Sequence, residues 1–165
     1  MVPDMDLYVI RHAIAEDAAP GQDDAHRELT PEGEKKLRRV VRGLRALDVS
    51  FDRILTSPWR RAAHTATLLE PLCDAAPIES DLLAQPPKAE LLALIAEHAA
   101  TTAVVGHEPW LSELVAWLAF GDVRHGDAMD LRKAGVVWLE GSAVPGAMTL
   151  RAFVPPKLLR AIGDK

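Results

Sequence analysis

The sequence predicts an α/β fold, a three-layer α/β/α sandwich around a mostly parallel central sheet. Three observations predict it. Short apolar runs alternate with longer segments of helical periodicity through most of the chain. The clearest run, Ala103-Val104-Val105, is continuously apolar, as suits a strand covered on both faces. The length of 165 residues, 48% hydrophobic and 26% charged, fits one ordinary domain over residues 1–165.

Leu7-Tyr8-Val9-Ile10 is too short for a helix and rich in β-favouring residues, so it reads as a buried first strand ending at Arg11-His12. Residues 18–24 are polar, contain Pro20 and Gly21, and read as a loop. Thr30-Pro31-Glu32 opens the first helix: threonine caps, proline suits the first turn, and Glu32 and Glu34 suit the positive end of the dipole. Leu37, Val40, Val41, Leu44 and Leu47 form its apolar stripe. Residues 51–56 read as a second strand, and Ser57-Pro58 as the cap of a helix reaching about Cys73. A weak third strand runs from Ile78 to near Asp81, and a third helix from Lys88 to about His98. Residues 101–106 form a fourth strand, and Glu108-Pro109 opens a helix with Leu111, Leu114, Val115 and Leu118 on one stripe. Residues 136–139 and 148–153 read as two strands of a hairpin.

Three chemically loaded segments fall at carboxyl ends of these strands, where open parallel sheets bind ligands. They are Arg11-His12, Ser57 to Arg61, and Gly106-His107. A neutral imidazole is a competent nucleophile toward phosphorus. Arg11 supplies a fixed charge and a planar fork of donors for phosphate oxygens. Arg60 and Arg61 sit in a helix first turn, where a cation is misplaced by about 0.3–1 kcal/mol unless an anion binds there. Arg61 is the better candidate, and Arg60 reads as solvated. His107 stands between a strand end and a helix start and can donate to a phosphate oxygen. Ala13 leaves room for a ligand to approach the backbone beside His12. His26, His64, His98 and His125 read as surface or local structure, with His64 and His98 on helices.

Other function classes lose ground. The net charge of -5 lacks the basic excess of a general nucleic-acid binder. No apolar stretch reaches about 18 residues, so no membrane span is expected. The one cysteine, Cys73, excludes an internal disulfide and reads as a small core residue on a helix. With no signal-peptide pattern at the start, a cytoplasmic protein is expected. No zinc spacing, Walker loop or dinucleotide fingerprint is present, so neither a metal nor a cofactor is expected.

The segments at residues 7–13, 29–33, 57–65 and 104–109 together resemble the histidine phosphatase superfamily, the phosphoglycerate mutase-like fold. They follow the family's order across about the first 120 residues. Small size, Ala13 where many relatives carry glycine, and the compact stretch between Cys73 and Thr101 resemble the SixA-type phosphohistidine phosphatases. The resemblance implies that His12 is the nucleophile and carries a transient phosphoryl group. It implies that Arg11, Arg61 and His107 hold the phosphate, with Arg27 as an accessory contact. A carboxylate after the third strand would be the general acid, with Asp81 first and Glu79 near it. The implied substrate is a phosphorylated partner, a phosphohistidine protein above all. A small-metabolite phosphomonoesterase or mutase is the second reading, and a non-catalytic phosphate-binding module the third. The oligomeric state is left open by the sequence.

Overall fold

The computed structural model describes residues 1–98 and 100–165. Six strands form one sheet in the order β3-β2-β4-β1-β5-β6. They are β1 (Asp4–Arg11), β2 (Arg53–Thr56), β3 (Ile78–Glu79), β4 (Thr102–Gly106), β5 (Val136–Ser142) and β6 (Met148–Val154). The first four are mutually parallel. β5 runs antiparallel to β1, and β6 antiparallel to β5, so the expected hairpin closes one edge. The helices are α1 (Pro31–Ala46), α2 (Arg60–Leu68), α3 (Ala89–Ala96), α4 (Trp110–Phe120) and α5 (Pro156–Gly163).

Alternate strand residues divide the core into two layers, because successive side chains point to opposite faces. Ile10, Ile54, Ala103 and Val105 pack with Leu37, Val40 and Leu44 of α1, Ala62 and Ala66 of α2, and Leu159 of α5. Val9, Leu55 and Val104 pack with Leu91 and Ile95 of α3 and Leu111, Leu114 and Leu118 of α4. The three-layer sandwich follows directly from the continuous apolar runs.

The first helix starts where the sequence places it. Thr30 Oγ1 accepts from Gly33 N at 2.9 Å, and Pro31 is the first helical residue. The second starts later than expected. Ser57 N continues the sheet by donating to Val105 O at 2.9 Å, and Ser57 Oγ accepts from Trp59 N at 3.2 Å. Residues 57–59 are therefore a turn, and α2 begins at Arg60. That helix ends at Leu68 rather than Cys73; a 3-10 turn (Glu70–Leu72) follows. Cys73 is half-buried in extended backbone bridged to Phe51, not a core residue on a helix. His98 likewise lies beyond α3, which stops at Ala96.

Helix α5 has no counterpart in the sequence reading. It crosses α1 at glycines: a Cβ on Gly43 would lie 2.0 Å from Leu159 O, and one on Gly163 2.3 Å from Arg39 O. No helix among the described residues is long and apolar enough to cross a membrane.

Candidate active site

Strand order brings the three loaded segments together. β4 lies between β2 and β1, so the residues following these strands are neighbours at one edge. His12 N donates to Gly106 O at 3.1 Å across that edge. The helices after β1 and β4, α1 and α4, pack on opposite faces. Connections diverging to opposite faces leave a crevice at the carboxyl ends, the expected place for a ligand.

His12 is only 4% exposed. Its Nδ1 lies 2.7 Å from Ala13 O. A carbonyl oxygen only accepts, so Nδ1 carries the proton and Nε2 carries the lone pair. Burial first, then the neighbouring His107 ring and the charges of Arg61 and Arg11, push its pKa from 6.5 to about 3, against the pull of the Ala13 carbonyl. The ring is thus held neutral with its basic nitrogen toward Arg61, whose Nε donates to Nε2 at 3.3 Å.

Arg61 is 3% exposed. Its other donors reach a residue of the polar loop expected over residues 18–24, Asp24. Arg61 Nη1 donates to Asp24 O at 2.7 Å, and Nη2 to Asp24 Oδ2 at 3.0 Å. Arg27 Nε donates to the other carboxylate oxygen at 2.7 Å. Burial raises the Asp24 pKa, but Arg61 and then Arg27 outweigh it and hold the carboxylate below its usual range. Asp24 opens a 3-10 turn (Asp24–His26) within the expected loop, capped by Asp23 Oδ1 accepting from Ala25 N. Arg60 is exposed and pairs with Glu28 at 3.1 Å, away from His12. Arg61 O accepts from Thr65 Oγ1 at 2.7 Å, and Thr65 Oγ1 accepts from Ala13 N at 3.0 Å. This link locks the first turn of α2 to the chain after His12. It also corrects the reading of Ala13: its N–H is taken and its side chain is buried in the core, so no ligand reaches that backbone.

His107 is buried beside His12, with ring centroids 5.3 Å apart. Its Nε2 is 2.8 Å from Ser57 Oγ. The Ser57 oxygen accepts from Trp59 N, and no acceptor other than His107 Nε2 stands near its hydroxyl proton among the described residues, so the arrangement that satisfies both groups has Ser57 donating to Nε2. That assignment places the His107 proton on Nδ1. Burial, with Arg61 and Arg11 adding to it, lowers the His107 pKa to about 3, so this imidazole too is neutral. Arg11 Nη1 donates to Leu131 O at 2.9 Å, which fixes the guanidinium against the segment after α4.

Among the described residues, two buried side-chain nitrogens have no hydrogen-bond partner: Arg11 Nε and His107 Nδ1. A buried donor left unpaired costs about 1–3 kcal/mol. Both belong to this cluster, and both are donors of the kind an oxyanion satisfies. The neutral imidazole of His12, the guanidinium groups of Arg11 and Arg61, and the two unpaired donors form a cluster with the chemistry to take an anion beside a basic ring nitrogen.

Four sequence-derived candidates thus converge: Arg11, His12, Arg61 and His107, with Arg27 linked to them through Asp24. Asp81 does not join them. It is exposed on a 3-10 turn (Asp81–Leu83) capped by Ser80, and its backbone oxygen accepts from Ala84 N at 3.0 Å and Gln85 Nε2 at 3.2 Å. Glu79 is also exposed and faces Pro58, Arg60 and His64. Sequence reasoning missed Ser57 and Asp24 as parts of the site. Ser57 lies in one of the loaded segments, but its local signal is that of a helix cap. Asp24 is one of several loop acids, and only the folded loop distinguishes it from Asp23.

Comparison with known proteins agrees with this geometry. The family model described as histidine phosphatase superfamily (branch 1) matches residues 7–84. An uncharacterized protein of Picosynechococcus sp. is 36% identical over 146 residues, covering 84% of this chain and 87% of that one. This chain belongs to the histidine phosphatase superfamily. Its activity class is that of a phosphatase. A structure of the protein histidine phosphatase SixA complexed with tungstate superimposes with a TM-score of 0.77 at 26% identity, covering 94% of this chain and 99% of the other. A candidate phosphohistidine phosphatase SixA from Agrobacterium tumefaciens gives 0.77 at 23% identity, covering 94% and 100%. Phosphoglycerate mutase from Bacillus anthracis gives 0.72 at 15% identity, covering 99% and 98%, and shares the fold.

Proposed function

We propose that this phosphatase works through a phosphoryl group carried on His12 Nε2 and that its substrate is phosphohistidine in a protein partner. The observation that carries the mechanism is the neutral, buried His12, with its Nδ1 proton tied to Ala13 O and two unpaired donors, Arg11 Nε and His107 Nδ1, in the same cluster. Nε2 attacks phosphorus as the bond to the leaving nitrogen breaks; that nitrogen keeps the electron pair, and the substrate ring leaves as neutral imidazole because its other nitrogen already carries a proton taken from solvent. Water then attacks the phosphoryl group, the bond to Nε2 breaks, and inorganic phosphate leaves with the regenerated imidazole. Arg11, Arg61 and His107 offset the charge spread over the equatorial oxygens, which is most of what phosphoryl transfer asks of a protein. Arg27 acts at one remove, by holding Asp24.

The choice of substrate rests on the acid. An alkoxide leaves only with proton donation, whereas an imidazole is a far better leaving group. Neither Asp81 nor Glu79 joins the hydrogen-bonded cluster, and the carboxylate bonded to Arg61, Asp24, is held ionised by two arginines. The relative that binds tungstate, a tetrahedral oxyanion, is a protein histidine phosphatase.

The test uses a phosphohistidine peptide carrying labelled phosphate. Wild-type protein in excess chelator should release phosphate and, when quenched in base, retain acid-labile label. His12→Ala should do neither. Activity that survives His12→Ala and disappears in chelator would refute the mechanism. A sugar phosphate preferred by orders of magnitude in kcat/KM would refute the substrate.

A further inference from the structure

Two of the four tryptophans stand beside this cluster. Trp59 precedes α2 and Trp110 is the first residue of α4, so each follows one of the loaded strand ends. The Trp59 ring lies 4.6 Å from the His107 ring and 5.8 Å from Trp110, which is 6.0 Å from His107. Arg61 Cζ sits 5.0 Å over the Trp59 ring.

Burial grades outward along this row of rings. His12 and His107 are buried, while both indoles are half-buried. The indole of Trp138 donates to Asp6 Oδ1, but neither Trp59 nor Trp110 has a hydrogen-bond partner for its Nε1 among the described residues. Packing alone accounts for Trp59, which covers Arg61 and His107. It does not account for Trp110, whose ring neighbours are Trp59 and His107, both at the anion site. A half-exposed aromatic pair beside a phosphate site offers area to whatever the phosphoryl group is attached to. Flat rings meet it well, because offset and edge-on aromatic pairs gain about 0.5–1.5 kcal/mol beyond burial.

We infer that Trp59 and Trp110 form the wall on which the leaving group rests, and that they select phosphoryl compounds with a flat aromatic leaving group over alkyl ones. This rests on the phosphatase reading of the cluster and deepens it: imidazole is one such ring, and phenol is another. Trp110 is the specificity-determining residue, since Trp59 also supports Arg61 and His107.

The experiment compares phenyl phosphate with ethyl phosphate, and a phosphohistidine peptide with phosphoramidate, whose leaving nitrogen carries no ring. The readout is the ratio of kcat/KM within each pair for wild type, Trp110→Leu and Trp110→Phe. In Trp110→Leu both ratios should fall by about 2- to 10-fold, the factor matching one aromatic contact. Trp110→Phe should recover most of it. Ratios unchanged in Trp110→Leu would overturn the wall. So would equal loss on both members of each pair. If phosphohistidine is not turned over but the phenyl-to-ethyl ratio depends on Trp110, the protein-phosphohistidine reading fails and the wall stands. Binding of phenylphosphonate and methylphosphonate by calorimetry gives the same comparison without turnover. Wild type should prefer the phenyl compound and Trp110→Leu should not; equal affinities in wild type would also overturn the inference.

Discussion

Ser57→Ala tests whether the tautomer of His107 is set by its neighbour. Ser57 is fully buried, and its Oγ serves Trp59 N at 3.2 Å and His107 Nε2 at 2.8 Å. Removing the hydroxyl leaves a backbone N–H and a ring nitrogen without partners. An unpaired buried group costs about 1–3 kcal/mol, so the midpoint of urea unfolding should fall accordingly. The catalytic effect is separate. Without the serine proton on Nε2, nothing keeps the His107 proton on Nδ1, the atom that faces no protein partner. A hydrogen bond to a charged acceptor contributes about 1.5–3 kcal/mol, or roughly a 10- to 100-fold loss in kcat/KM when it is absent. The assay is steady-state hydrolysis at a temperature where the variant is folded. It is paired with nitrogen-15 chemical shifts of the His107 ring, which report the protonated nitrogen directly. A variant that keeps its fold, loses less than about twofold in kcat/KM and shows an unchanged His107 tautomer would refute the reasoning.

Three further outcomes are expected. His12 and His107 have folded pKa values near 3 against 6.5 for a free imidazole, so below about pH 6.5 the unfolded chain binds protons that the folded one does not. Stability should be full above that pH and fall toward pH 3, by up to about 1.4 kcal/mol per pH unit for each ring; a ring titration near pH 6.5 by NMR would contradict this. On the proposed mechanism Arg61 holds the phosphate, so Asp24→Asn, which removes the negative charge paired with Arg61, should let inorganic phosphate inhibit more tightly. The Asp24 side chain is 53% exposed, which limits the effect to about 0.2–1 kcal/mol, at most about fivefold in the inhibition constant; weaker inhibition would show that Asp24 chiefly positions Arg61. Thr30→Ala removes the cap of α1 and should cost about 0.5–2 kcal/mol in chemical denaturation, whereas a change within 0.2 kcal/mol would show that the cap is redundant (about the error of such a comparison).

Much of the fold was legible because its signals are local. Thr30-Pro31 specifies a helix start through the hydroxyl and the ring of those two residues, and the structure places the start there. Ser57-Pro58 carries the same signal, yet the helix begins at Arg60 because Ser57 is still bonded into the sheet and its hydroxyl is committed to Trp59 N and His107. A tertiary demand on one hydroxyl overrode its capping role. Helix α5 carries no such local signal, because its short apolar stripe acquires meaning only where it crosses α1, at Gly43 of α1 and Gly163 of α5.

The site divides in the same way. The sequence by itself determined the chemical types: an imidazole at the end of β1, a second after β4, and an arginine in the first turn of α2, since these positions depend only on where each element stops. The tertiary structure decided what those groups are. The placement of β4 between β2 and β1 made them neighbours. Burial at that edge made both imidazoles neutral, and the Ala13 carbonyl chose which nitrogen of His12 carries the lone pair. The loop brought Asp24, not Asp81, to the arginines. Protonation state and partner depend on desolvation and on atoms distant in the chain, and neither is encoded in any local run of residues.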